Sequence, residues 1–129
     1  MAKHNIFGKL GEDTAVEYLL KKGYIIRERN WRLDKLEVDI IAEKDQCIII
    51  VEVKTRSHDL QSALLAVDNR KQTFLYRAAN AYLKGLQRPY SVRIDLICII
   101  GDRPENFVVE HIENAVRPRV QGRKGCRIR

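Results

Sequence analysis

Two stretches of this chain carry charge where hydrophobic residues are expected. Ile48-Ile49-Ile50-Val51-Glu52-Val53-Lys54 is apolar enough to be a central strand buried on both faces, yet Glu52 and Lys54 interrupt it. Side chains alternate along a strand, so both residues share one face, and a carboxylate there is costly unless a cation or hydrogen bonds compensate it. Just upstream, Glu37, Asp39 and Ile41 are expected on one face of their own strand, with Asp39 followed directly by Ile40 and Ile41. If a hairpin sets Asp39 beside Glu52, two carboxylates meet near one ammonium, which favours a bound divalent cation or a raised carboxyl pKa. Such oxygen ligands suit a hard cation, Mg²⁺ or Mn²⁺, that fills its remaining positions with water and substrate phosphate. Phosphodiester hydrolysis is the chemistry this would serve, with Lys54 placed to orient or deprotonate the attacking water and to stabilise developing charge. The same residues also fit a second reading, a buried Glu52–Lys54 or Asp39–Lys54 ion pair with no metal.

The elements that must position these residues can be read from hydrophobic spacing. Phe7, Leu10, Thr14 and Tyr18, with Ala15 and Leu19, recur at helical intervals and predict a helix from about Ile6 to Lys22, stopped by Gly23. A β-like stretch runs from Tyr24 toward Trp31, with a turn at Leu33 to Lys35. Glu37 to Ala42 and Cys47 to Thr55 are two further strands joined by the polar turn Glu43 to Gln46. Arg56 to Leu60 reads as a loop, with a short helical turn around Leu64, Leu65 and Val67. Asp68 is a fitting N-cap for a helix in which Lys71, Leu75, Ala78 and Tyr82 recur as far as Lys84, before Gly85. Ser91 to Ile100 and Phe107 to Ile112 are strands around the Gly101 to Asn106 turn. The order predicts an α/β domain, a mixed central sheet flanked by helices. It lacks the regular strand–helix alternation of doubly wound nucleotide folds, and no glycine-rich phosphate loop is present.

A chain of 129 residues has material for one core, assigned to residues 1–116 as a single domain. With 45% hydrophobic and 32% charged residues it has the balance of a folded domain rather than a disordered chain. No apolar run approaches the roughly 18 residues of a spanning helix, and the segment Met1 to Lys9 has no apolar signal core. The expectation is a cytoplasmic protein without membrane contact. Cys47, Cys98 and Cys126 are too widely spaced for a paired zinc site, and two of them sit in apolar runs. The net charge of +7 is concentrated at the C-terminus. Residues 117–129 carry six basic residues, Arg123 and Lys124 among them, and no acid, leaving the remainder near neutral. Such a tail is expected to be flexible, and its charge is suited either to phosphate backbones or simply to solubility.

An acid in one strand, Asp39, followed after a hairpin by Glu52-Val53-Lys54, resembles the PD-(D/E)xK motif of restriction-endonuclease-like nucleases, whose αβββαβ core the predicted order matches. More specifically, Gly11-Glu12 with Ala15, Gly23-Tyr24, Asn30-Trp31, Glu37-Val38-Asp39, Val51 to Arg56, and Glu110-His111-Ile112 with Asn114-Ala115 resemble the small bacterial YraN-type family, itself similar to archaeal Holliday junction resolvases. The resemblance extends to about Arg117. It implies a DNA endonuclease acting on branched DNA, with Asp39, Glu52 and the Val53 carbonyl as metal ligands, Lys54 as catalytic lysine and Glu12 as a further acid. By analogy with resolvases, which cut two strands, it also implies a homodimer. Gln72 and Tyr76, one helical turn apart, are similar to a Gln-x-x-x-Tyr element near the active site of some such nucleases. Where the family usually reads Gly-Glu-Ile-Asp, this chain has Leu36-Glu37-Val38-Asp39, and if the glycine supplies a positive φ, Leu36 is expected to strain the loop or narrow access. Arg56, Arg70 and Lys71, with Arg77, form a candidate nucleic-acid-binding stripe. His4, His58 and His111 are scattered and read as surface or edge residues, while Trp31 and Tyr24 read as core. A non-catalytic nucleic-acid-binding or assembly protein that keeps the fold is the alternative function.

Overall fold

The computed structural model describes residues 3–116, with side chains from residue 6. The expectations for the tail, including Arg123 and Lys124, lie outside the described residues. Helix α1 (Lys3–Lys21) is followed by strands β1 (Ile25–Leu33), β2 (Leu36–Lys44) and β3 (Cys47–Arg56). Two helices come next, the single-turn α2 (Leu60–Leu65) and the longer α3 (Asn69–Lys84). Strand β4 (Ser91–Ile100), a 3-10 turn at Pro104–Asn106 and β5 (Val108–Val116) complete the described residues. The five strands form one sheet in the order β1-β2-β3-β4-β5. Only the β3–β4 pair is parallel; the others are antiparallel. The α/β fold, with its mixed sheet and αβββαβ core, is as the sequence predicts.

Strand β3 lies at the centre, and its run from Cys47 to Glu52 is buried throughout. Its two faces bury against different helices. Ile49 and Val51 join Ala15 and Leu19 of α1, together with Ile40, Ile97 and Ile99. Ile48 and Ile50 join Leu75, Ala78 and Ala79 of α3, together with Ile41 and Ile94. Each fully buried Ile or Leu stabilises the fold by about 1.5–3 kcal/mol, so this double-sided core fixes the position of β3 firmly.

Local chemistry explains the boundaries. Asp45 and Gln46 both have positive φ, 52° and 62°, and with the Lys44–Cys47 pair they make a two-residue hairpin turn of the primed kind that suits strand twist. Asp68 caps α3, its side chain accepting the Lys71 N–H at 2.9 Å. Gly11 lets α1 settle on β3, because a Cβ there would overlap the Thr55 side chain. Leu36 does not strain its loop. It opens β2 in ordinary extended conformation, pairs with Leu33 and packs on the α3-side core, while the left-handed φ of this hairpin falls on Asp34, at 56°.

Two expectations are corrected. Strict alternation of Glu37, Asp39 and Ile41 does not hold, because Val38 and Ile41 both pack on the α3 side while Ile40 packs on the α1 side. The β2–β3 ladder ends at Ile40–Val51, and opposite Asp39 the β1 residue Asn30 takes φ 52°, so the backbone is irregular where the acid sits. Strand β5 also continues past Ile112 to Val116. The extension begins with Glu113 and Asn114, which carry no apolar strand signal, and ends in the buried Val116; the Asp95 carboxylate of β4 accepts the Asn114 N–H and holds this stretch in place.

Candidate active site

The end of the β2–β3 ladder is where the chemistry gathers. The Val53 N–H donates to Asp39 Oδ2 at 2.8 Å, where an unbroken ladder would offer a backbone carbonyl. One residue earlier in β3, Glu52 is buried with its side chain only 5% exposed, and its Oε2 lies 3.0 Å from Lys54 Nζ and 3.3 Å from Lys71 Nζ. Glu52 and Lys54 therefore do share a face, and it is α3 that delivers the second ammonium. An open cleft of about 570 Å³ reaches Asp39, Val53 and Lys54, with Lys9 and Glu12 of α1 on one wall and Arg56 at the end of β3.

Electrostatics single out Asp39. Burial, then the charge of Glu52, then that of Glu12 push its carboxyl up to about 7, while the Val53 N–H and the charge of Lys71 pull the other way. Two other carboxylates, Glu52 and Glu12, thus act on Asp39. Glu12 is steadied by Arg29, whose Nη2 donates at 3.0 Å, and by Asn30 Nδ2 at 3.3 Å.

Sequence reasoning named Asp39, Glu52, Val53, Lys54, Glu12 and Arg56, and the fold brings all six to this region. Lys71, read as part of a phosphate-facing stripe, instead turns its ammonium onto Glu52. Arg70 is exposed on α3. Gln72 Nε2 donates to the Val67 carbonyl at 3.3 Å, and Tyr76 packs on the α3-side core. His58 is exposed and within hydrogen-bond reach of Ser57, and Trp31 meets Tyr82 edge-on in the core.

A buried polar network on the α1 side escaped the sequence reading. Arg93 donates to both oxygens of Asp95 at 2.8 Å and to the Tyr24 hydroxyl at 2.8 Å. His111 Nε2 lies 2.7 Å from Asp95 Oδ2 and its Nδ1 3.0 Å from the Tyr18 hydroxyl, and the Asn114 N–H donates to Asp95. Burial pushes the Asp95 carboxyl up, but the hydrogen bonds from His111, Arg93 and Asn114 outweigh it and hold the group below the ordinary carboxylate range. The signal was available, since Arg93 and Asp95 stand two apart in an otherwise apolar strand, the same signature as Glu52 and Lys54.

Among the described residues no three His, Cys, Asp or Glu side chains form a cluster able to cage a metal ion. Asp39 and Glu52 are a pair beside the Val53 backbone. That donor set fits a hard cation such as Mg²⁺, which binds through one or two carboxylates and keeps the rest of its shell for water and phosphate. Burial is the main cause of the raised Asp39 pKa and the charge of Glu52 the next, and a divalent cation held by both carboxylates would offset both.

The fold is thus an α/β fold of the restriction-endonuclease-like kind, with an acid on β2 and Glu-x-Lys on β3. The sequence profile of the Uncharacterised protein family UPF0102 matches residues 11–99. A UPF0102 protein of Bacteroides thetaiotaomicron is 48% identical over 92% of this chain and 98% of its own length, and one of Bacteroides fragilis is 48% identical with the same coverage. A relative in Flavobacterium psychrophilum is 46% identical over 89% of the chain and 97% of its own length. The chain belongs to the UPF0102 family.

Proposed function

We propose that this protein is a metal-dependent endonuclease that hydrolyses DNA phosphodiesters, acting on branched, Holliday-junction-like DNA in the cytoplasm, as a homodimer. The observation that carries the reading is that Asp39 and Lys54 line one cleft, with Glu52 buried behind it against Lys54 at 3.0 Å and the Asp39 carboxyl raised to about 7 by burial and by Glu52. Asp39, Glu52 and the Val53 carbonyl would hold Mg²⁺ or Mn²⁺. When bound, the cation supplies charge neutralisation at the phosphoryl group and lowers the pKa of an attacking water. Lys54 extends into the cleft from the same face as Glu52, where its ammonium orients that water and offsets charge on the phosphoryl oxygens. Lys9 and Arg56 line the cleft and supply positive charge for the flanking phosphates. Glu12, fixed by Arg29 and Asn30, adds a third carboxylate to the field at Asp39.

A second reading, a nucleic-acid-binding or assembly protein without catalysis, is favoured by the two ammoniums that already neutralise Glu52. One experiment separates them. Four-way-junction, flap and linear DNA are incubated with the protein in Mg²⁺, Mn²⁺ or chelator, beside Asp39→Asn. The nuclease reading expects metal-dependent cleavage, strongest on the junction, that drops at least about 100-fold in the variant. Binding without cleavage in every metal moves the assignment to the second reading.

A further inference from the structure

The cationic side of this site holds one charge more than Glu52 needs. Lys54 and Lys71 both approach the same oxygen, Glu52 Oε2. A single buried carboxylate is balanced by one ammonium; together the two carry the charge of one divalent cation, set against Glu52 and Asp39. If a divalent cation joined the site with both lysines in place, four positive charges would face two carboxylates, and one ammonium would have to leave.

Lys71 is built to be that one. Its side chain is 31% exposed against 21% for Lys54, and its contact with Glu52 is the longer. It stands in the first turn of α3 beside Arg70, and the Asp68 carboxylate there is engaged with the backbone N–H of Lys71 rather than with its ammonium. Glu52, rather than the helix, keeps it inward. The Lys71 backbone is anchored independently through its N–H to Asp68, which lets the side chain change rotamer without disturbing α3.

We propose that Lys71 is a displaceable counter-ion and positioning residue: it neutralises Glu52 in the metal-free protein, yields Glu52 to a divalent cation, and turns outward to a phosphate of the nucleic-acid backbone. This rests on the reading of the cleft as a hydrolytic metal site. Competition between an ammonium and a metal for one carboxylate is reciprocal, so removing the ammonium must strengthen metal binding.

The test is calorimetric titration of the full chain with Mn²⁺ alone, comparing wild type with Lys71→Met, Lys71→Gln and Lys71→Arg, each also melted in chelator and in saturating Mn²⁺. Lys71→Met is expected to bind Mn²⁺ about fivefold or more tightly, the low end of couplings between linked sites. Its melting temperature falls in chelator and recovers in Mn²⁺, whereas Lys71→Arg keeps wild-type metal affinity. Lys71→Gln repeats the measurement with a polar neutral side chain if Lys71→Met does not fold. A neutral variant with unchanged or weaker Mn²⁺ affinity overturns the proposal and leaves the metal site standing. Folded wild type and variant that both ignore Mn²⁺ overturn the hydrolytic reading, and the counter-ion with it. For the phosphate half, DNA binding is followed against salt with Ca²⁺ present, where Lys71→Met is expected to lose about one unit of slope. Equal slopes overturn that half.

Discussion

Asp39 is a residue whose burial works against the fold at neutral pH. Its carboxyl ionises near 7 in the folded chain and near 4 when unfolded, so between those values the folded state holds a proton that the unfolded state has lost. Stability from this group is therefore full below about pH 4 and is lost as pH rises toward 7. Asp39→Asn keeps an oxygen to accept the Val53 N–H and removes only the charge. It is expected to raise stability by about 1–2 kcal/mol at pH 8 in chelator and by nearly nothing at pH 4, as read from melting curves at the two pH values. Saturating Mg²⁺ should erase the difference at pH 8, because the cation performs the neutralisation that the substitution imitates. A carboxyl perturbed in this way inside a cleft marks Asp39 as a functional-site candidate.

At the scale of elements, the site depends on how closely α1 lies against β3. Glu12 belongs to α1 and acts on Asp39 only because Gly11 beside it has no side chain to hold the helix away from Thr55. In an exposed helix Gly→Ala stabilises by about 1 kcal/mol. Here the sign reverses, since an added Cβ would meet Thr55 Cγ2 at 2.9 Å and Oγ1 closer still. Gly11→Ala is expected to destabilise by about 1–3 kcal/mol in denaturant titration, and a second change, Thr55→Ala, should recover much of it. A single variant as stable as wild type would show that α1 can shift without cost. The irregular stretch of β2 matters equally: with a continuous ladder Asp39 would follow the alternation of Ile41, and its carboxylate would not take the Val53 N–H.

At the scale of the whole chain, net positive charge is concentrated in the sequence after Val116. Residues 117–129 hold six basic residues and no acid, and β5 delivers the chain to that segment at Val116, opposite Ile94. Ile94 is two residues along β4 from Leu96, the partner of Glu52. Removing residues 117–129 is expected to weaken DNA binding and to reduce the slope of log affinity against log salt by up to about 5 units if all six charges meet phosphates. An unchanged slope would restrict phosphate contacts to the folded domain. Among the described residues no helix is long and apolar enough to cross a membrane.

Much of this was legible in the residues alone. Glu52 and Lys54 betray themselves because a strand of Ile and Val has a period of two, and charges at that period must share a face. Helix and strand order follow equally from spacing and caps, as Asp68 and Gly23 show. What spacing cannot express is where a ladder stops. The position of Asp39 depends on broken pairing between β2 and β3 and on the left-handed Asn30 of a third strand. The distant partners of Glu52 and Asp95 were hidden for a related reason. Lys71 lies on a helix 19 residues beyond Glu52, and His111 on an edge strand 16 beyond Asp95, so only the packing of helix and strands into one sheet brings each pair within hydrogen-bond distance. Residue type and local period determined which groups could do chemistry; long-range packing alone decided which of them meet.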